Sequence, residues 1–307
     1  MTCREVIPIH PITPMPHAGN PRLVRAILKN APVCASFKLP AKACRHGLEG
    51  LSIMGVDQIK ASLNLGAVLQ NLAELCRLDP ESQKLIRDWD VCVQFTVFAG
   101  PKAWVEFRGG ECRTGLGTTA LSDVHLVFVT PGHLNAMFAG SAIPPIPVKG
   151  FKRLGFLKNE FPRITARLEH YLKPGPGMLD DPAFLAANTT LTLHTAANAL
   201  RELVKTEPTA GKIAAGTPTG RLQLAVGSDG PAAWVSFSPN GMEVGRGRLE
   251  HPDATMTFRD IPVAQGVLSG KEDGLAAIGR GEVVIWGMLP LIDSATLIMD
   301  RVERYLA

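Results

Sequence analysis

Apolar and polar positions fall into their clearest rhythm between Trp234 and Tyr305. Val235 and Phe237 alternate with Trp234 and Ser236, and Ala254, Met256 and Phe258 alternate with Thr255 and Thr257. This is the period of two expected of strands with one buried face. Asn240-Gly241 between them is a tight-turn dipeptide. Asp260 is placed to cap a short helix over residues 261–269, with Gly270 ending it. A strand around 282–286 follows, then a last helix with Leu291, Ile298, Val302 and Tyr305 on one face.

The same run recurs 130 positions earlier. Ala103–Phe107 (AWVEF) falls on Ala233–Phe237 (AWVSF), Gly115 and Gly117 on Gly245 and Gly247, Asp123 and Phe128 on Asp253 and Phe258, and Gly140 on Gly270. Nine of the 38 positions from 103 to 140 are identical without a gap. Composition alone would give about two, so a duplicated unit is expected. With small gaps the match extends upstream, where Leu72, Glu74 and Leu75 meet Leu200, Glu202 and Leu203, and Gln94 meets Gln223. Downstream, Gly155 is set against Gly287 and His170-Tyr171-Leu172 against Arg304-Tyr305-Leu306.

The remaining pattern fills in around these runs. Pro8, Pro11, Pro14 and Pro16 predict an extended arm, Asn20-Pro21 the start of a helix, and residues 33–39 a strand. Leu65, Val68, Leu72 and Leu75 form a helical stripe, and Asp79-Pro80 starts another helix. Strands are predicted at 92–98, 103–107 and 123–129, and a short helix at 132–138. Pro144, Pro145 and Pro147 then replace the segment that holds Leu275 and Ile278 in the later copy, and cannot continue a helix. Pro174-Gly175-Pro176-Gly177 is the best domain boundary. Asp181 and Pro182 open a helix over 183–204, residues 206–219 read as a polar, Gly-rich loop, and 221–226 as a strand. The expected organisation is an N-terminal extension (1–60), a divergent first domain (61–175) and a second domain (176–307).

The order of helix, three-strand meander with W-V-x-F, PDATMTF, short helix ending in SGK, further strand with a closing glycine, and terminal helix resembles the sterol carrier protein (type 2) family of lipid-binding domains. Residues 183–307 carry the resemblance, residues 61–175 carry it mainly through the internal repeat, and residues 1–60 carry none of it. The resemblance implies an α+β fold of two tandem domains, each a roughly five-stranded sheet with helices packed on it around an apolar cavity. The implied lining is Phe237, Met256, Phe258, Val267, Leu268, Ile278, Trp286, Met288, Leu289, Ile292 and Leu297. The matching first-copy positions are Phe107, Leu126, Phe128, Met137, Phe138, Phe156 and Leu157. Without the resemblance, such residues read as ordinary core.

Composition and charge narrow the picture. The chain has 307 residues, 46% hydrophobic and 20% charged, enough for two domains with their own cores. The longest apolar run near the C-terminus, Val283–Ile292, is too short to span a bilayer. The first residues show no signal-peptide pattern and the last four lack a peroxisomal address, so a cytoplasmic location is expected. Residues 1–180 hold 21 Lys/Arg and 14 Asp/Glu, against 11 and 14 in residues 181–307. Much of the basic excess lies in 149–173, where Lys149, Lys152, Arg153 and Lys158 are candidates for an anionic headgroup or membrane contact; a solvated helix face is the other reading. No nucleic-acid motif accompanies the charge.

The candidate chemistry is sparse. Six cysteines lie in the first 112 residues with no C-x-x-C pair, and Cys34, Cys44 and His46 do not make up four ligands at structural-zinc spacing, so neither a disulfide framework nor a metal is expected. His10 and His17 make no defined site. Gly115-x-Gly117-x-x-Ala120 resembles a dinucleotide fingerprint but runs into a strand rather than a helix, so these glycines are read as strand or bulge positions. Asp123 and Asp253 are read as ending a strand hydrogen-bond pattern. No nucleophile, base and acid stand in a recognisable motif. Two readings follow: non-catalytic binding or transfer of a fatty acyl, sterol-like or other apolar ligand, with no cofactor; or an accessory module with filled cavities that supports a partner enzyme.

Overall fold

The computed structural model describes residues 49–140 and 143–306, so the expected arm, first helix and first strand of the N-terminal extension, with Cys34, Cys44, His46, His10 and His17, lie outside the described residues. The fold is α+β, with two five-stranded sheets and helices packed on them. The first half runs α1 (Glu49–Leu63), a π-helical segment (Asn64–Val68), a 3-10 turn (Leu69–Asn71), α2 (Leu72–Leu78), α3 (Pro80–Ile86), β1 (Val91–Val97), β2 (Lys102–Arg108), β3 (Glu111–Leu116), β4 (Val124–Phe128), α4 (Pro131–Phe138), β5 (Ile146–Lys149), α5 (Leu154–Asn159) and α6 (Phe161–Leu172). The second half runs α7 (Pro182–Thr206), α8 (Pro208–Ala215), β6 (Gly220–Val226), β7 (Ala232–Ser238), β8 (Gly241–Arg246), β9 (Ala254–Phe258), α9 (Ile261–Leu268), α10 (Gly274–Gly279), β10 (Val283–Gly287), α11 (Leu289–Met299) and α12 (Glu303–Leu306).

The sheets have one topology. The first is ordered β3-β2-β1-β4-β5 and the second β8-β7-β6-β9-β10. In each, the first and fourth strands pair in parallel and every other pair is antiparallel. The short helix between fourth and fifth strands begins at a capped Pro: Thr130 Oγ1 accepts from the His133 amide and Asp260 Oδ1 from the Val263 amide.

Buried polar groups hold both sheets in the same way. The Gln94 amide donates to the carbonyls of Phe95, Ala103 and Gly117 and accepts from the Thr119 amide; Gln223 does the same with Leu224, Ala233, Gly247 and Leu249. Asp123 Oδ2 accepts from the Cys92 amide and Asp253 Oδ2 from the Arg221 amide, each at 2.8 Å, which gives both carboxylates the strand-ending role read from their positions. The indoles of Trp104 and Trp234 pack against Gly115 and Gly245, where a Cβ would come within 2.4 and 2.3 Å of the ring.

Three local expectations are revised. Residues 206–219 hold a helix, α8, because Glu207 caps it through the Ala210 amide and Pro208 occupies its first turn. Gly150, not Gly155, corresponds to Gly287: the one follows β5 and the other ends β10, with φ of +86° and +88°, and a Cβ on either would run into the carbonyl of Asp123 or Asp253. The helix entering the first unit starts at Glu49 and crosses the boundary expected at 60/61.

The long helices join the halves. From Glu49 to Leu78 the backbone stays helical, and this rod crosses α7 at Gly66, where a Cβ would sit 2.3 Å from Glu202 Cδ. Arg201 Nη2 donates to the Gly66 carbonyl at 2.8 Å, and Asn71 Nδ2 to Thr195 Oγ1 at 2.5 Å. The cores are shared: Ile59, Leu63 and Ala67 belong to the apolar cluster of the second sheet, and Leu191 to that of the first.

Each half also closes on a buried carboxylate. Asp79 caps α3 through the Ser82 amide and receives Arg167 Nε and Nη2 at 2.9 and 2.7 Å, with the Tyr171 hydroxyl at 3.3 Å. Glu207 caps α8 and receives Arg301 Nε and Nη2 at 2.8 and 2.5 Å, with the Tyr305 hydroxyl at 3.2 Å. Burial alone would raise the Asp79 carboxyl, but the Arg167 fork and the Ser82 donors outweigh it and hold the pKa at about 2. For Glu207 the Arg301 fork is the largest influence, and the pKa again falls to about 2. Both folded values lie below the ordinary 3.8 and 4.5, so the stability they contribute is complete above about pH 5 and is lost as the pH falls towards 2. Urea denaturation at pH 7 and pH 3 checks this. Arg167→Met or Arg301→Met is expected to cost about 3 kcal/mol at pH 7, by leaving a buried carboxylate unpaired, and to flatten the loss on acidification.

Candidate apolar ligand site

The residues singled out in the second half fall into two groups. Phe237, Phe258, Leu268 and Ile292 are buried in the apolar cluster under the sheet, and Met256, Val267 and Ile278 pack against it while only partly covered. Strand alternation sends Met256 and Phe258 inward together with Ile285 of β10, while Thr255 and Thr257 share the outer face with Trp286 and Val284. Trp286, Met288, Leu289 and Leu297 stand in solvent, Trp286 with 66% of its surface exposed. Leu289 and Leu297 lie eight residues apart on α11, so they share a face, opposite the buried Leu291 and Ile298. β10 is an edge strand. The second half therefore has an apolar interior, partly covered residues at its margin, and a fringe of large apolar side chains beside a sheet edge.

The first half is arranged similarly but filled differently. Phe107, Leu126 and Phe128 are buried, and Met137, Phe138, Phe156 and Leu157 pack against that core partly covered. Trp89 meets Phe107 and Phe156 edge-on at 5.0 Å between centroids, and Phe161 packs on Phe95 at 5.9 Å, Phe156 at 6.2 Å and Phe107 at 6.4 Å. The equivalent positions in the second half carry smaller groups. Phe95 follows Gln94 as Leu224 follows Gln223. Counting back from the paired Arg167 and Arg301 sets Phe161 against Ala295 and Phe156 against Pro290. Three of the rings that fill the first core are thus replaced by Leu224, Pro290 and Ala295.

The four basic candidates are all exposed. Lys149 ends β5, and its ammonium donates to the Ser122 carbonyl; Lys152 and Arg153 lie on the 3-10 turn Phe151–Arg153, and Lys158 on α5. They stand beside the exposed apolar residues Ile146, Val148 and Phe151. None of the four touches the predicted lining of the second half through a described hydrogen bond or ion pair. No helix among the described residues is long and apolar enough to cross a membrane.

Sequence reasoning placed the inward residues of both sheets but missed the filling rings, Trp89, Phe95 and Phe161. The internal alignment could have found them, because a ring on one side of the repeat faces Leu224 or Ala295 on the other. It also missed a cleft between the halves, which no single element encodes.

No protein-family model and no curated protein matches the chain. Among solved structures it is similar to a UbiJ-SCP2 ubiquinone synthesis protein at 16% identity, over 37% of this chain and 93% of that one, with a TM-score of 0.30. It is similar to sterol carrier protein 2 from Yarrowia lipolytica in its apo form at 12% identity, over 34% and 92%, with a TM-score of 0.28. It is also similar to palmitated SCP2L2 from Aedes aegypti at 19% identity, over 32% and 89%, with a TM-score of 0.23.

The two groups of apolar residues differ in what they do for stability. Phe107→Ala is expected to cost about 3–5 kcal/mol, since the ring is fully enclosed. Trp286→Ser and Leu297→Ser are expected to change stability by less than about 0.5 kcal/mol. Urea titrations of the three variants check this; a large loss in either serine variant would mean that the fringe is part of the fold's own packing.

Proposed function

We propose that the second half of the chain binds an apolar ligand of fatty acyl or sterol-like class without transforming it, and that the first half serves as its support. The observation that carries this reading is the difference in filling. Two cores of one topology close on equivalent carboxylate–arginine–tyrosine clusters, yet Phe95, Phe156 and Phe161 in one are Leu224, Pro290 and Ala295 in the other. Side-chain volume missing from a close-packed site leaves space that either collapses or takes a guest. The exposed fringe of Trp286, Met288, Leu289 and Leu297 supports a guest, because an entering chain is then never without apolar contact. The resemblance of residues 183–307 to sterol-carrier domains points the same way.

The energetics are those of burial. Each methylene taken out of water contributes about 0.8 kcal/mol, so a long acyl chain offers on the order of 10 kcal/mol before the cost of ordering it. Lys149, Lys152, Arg153 and Lys158, beside the exposed Val148 and Phe151, would hold the protein against an anionic lipid surface while the ligand exchanges. The ring-filled first core favours the supporting role for that half, the part of the accessory reading that a specific observation backs.

Native mass spectrometry with added palmitate tests the proposal. One palmitate per chain is expected, together with its loss in Ala295→Phe, which restores the ring the first half has at that place. No palmitate adduct, or an adduct that Ala295→Phe leaves intact, would sink it.

A further inference from the structure

Away from the outer edges, the inner edge strands β3 and β8 border a cleft of about 580 Å³, with α2 and the middle of α7 as its floor. Its walls mix apolar side chains, neutral polar ones (Gln70, Thr114 and Asn198) and cations. Trp104, Ala73, Ala197 and Val244 give an apolar surface, and Arg113 and Arg246 bring two guanidiniums. No carboxylate lines it. His194 lies in the floor as a donor through Nε2 to the Ala232 carbonyl, and burial, then Arg246, push its imidazolium form to lower pH, so it is neutral at pH 7. Burial pushes the Cys112 thiol well above its usual range, so it too adds no negative charge.

The charges behind the walls do not balance. Glu74, 3% exposed, is shared by two arginines, Arg77 at 3.0 Å and Arg246 at 3.2 Å; Arg246 also donates to the Gln70 carbonyl at 2.9 Å. Arg113 pairs with Glu111 at the rim, and Arg201 with Glu202 beneath the floor. Arg77, Arg113, Arg201 and Arg246 set against Glu74, Glu111 and Glu202 leave one positive charge over, on the two arginines that share Glu74; of these Arg246 lines the cleft, its side chain 37% exposed. A guanidinium that has only a share of one carboxylate gains from a further counter-ion, and more so where an apolar wall keeps water from one side.

We propose that this cleft binds an organic monoanion with an aromatic or otherwise apolar body, its acidic group on Arg246 and its body against Trp104 and the alanines of the floor. The site is separate from the apolar interior of the second half and does not rest on that reading.

Two probes that differ only in charge test it. 1-Anilinonaphthalene-8-sulfonate is expected to bind saturably at one site per chain, and neutral N-phenyl-1-naphthylamine at least tenfold more weakly. Arg246→Gln is expected to weaken the sulfonate at least tenfold while changing the neutral probe less than twofold. Ala73→Trp, which fills the cleft and leaves the arginine pair intact, is expected to abolish the sulfonate site should Arg246→Gln fail to fold. Ala295→Phe is expected to leave it unchanged. Equal binding of the two probes, or a sulfonate site insensitive to Ala73→Trp, overturns the proposal. Loss of that site in Ala295→Phe also overturns it, by placing the probe in the apolar interior instead.

Discussion

Everything in this molecule is arranged about the crossing of its two long helices at Gly66. The absence of a side chain there lets the rod from Glu49 to Leu78 come down onto Glu202 of α7, and Arg201 ties the crossing by bonding the Gly66 carbonyl. The π-helical turn Asn64–Val68 falls at the same place. Because the helices meet this closely, each reaches past its own sheet: Ile59, Leu63 and Ala67 complete the second core and Leu191 the first. The two sheets are thus not beads on a linker. A side chain at residue 66 would meet Cγ, Cδ and Oε1 of Glu202 and force that side chain, with its pair to Arg201, to move.

That crossing also decides which surfaces are left for function. The inner edges, β3 and β8, border the cleft, with Arg246 in its wall and the glutamate it shares with Arg77, Glu74, buried behind. The outer edges, β5 and β10, face solvent, and both carry large apolar residues: Val148 and Phe151 beside the first, Trp286 and Leu289 beside the second. One interior is packed with rings, and the other has Leu224, Pro290 and Ala295 at the matching positions. The two sheets share one strand order and one set of buried hydrogen bonds, those of Gln94/Gln223, Asp123/Asp253 and Asp79/Glu207, while their fillings differ.

Much of this frame was legible in the sequence. The alternation around Val235 and Met256, the cap-and-proline pairs at Asp79 and Asp181, and the shift of 130 that sets Trp104 on Trp234 are local or periodic signals, and the strands and caps stand where those signals put them. The misreadings have physical causes. Residues 206–219 looked polar, but Glu207-Pro208 is the same cap-and-proline pair in a third place, held by an arginine 94 residues away. Gly155 was set against Gly287 because alignment cannot see φ; the chain reverses at Gly150. Of the candidate site, the inward positions followed from alternation. The exposure of Trp286 and Leu297 did not, since an edge strand and a terminal helix look apolar whether or not something covers them. The cleft could not be read at all: Glu74 and Arg246 lie 172 residues apart and meet only through the helix crossing.

The central claim is that an apolar guest occupies the second core where the first holds rings. Photo-crosslinking with a diazirine-bearing fatty acid, followed by peptide mapping, tests it most directly. Labels concentrated on residues 254–299, around Met256, Ile285 and Ala295, are the expected result. Labels confined to the first half, or to the basic surface around Lys152, would contradict it.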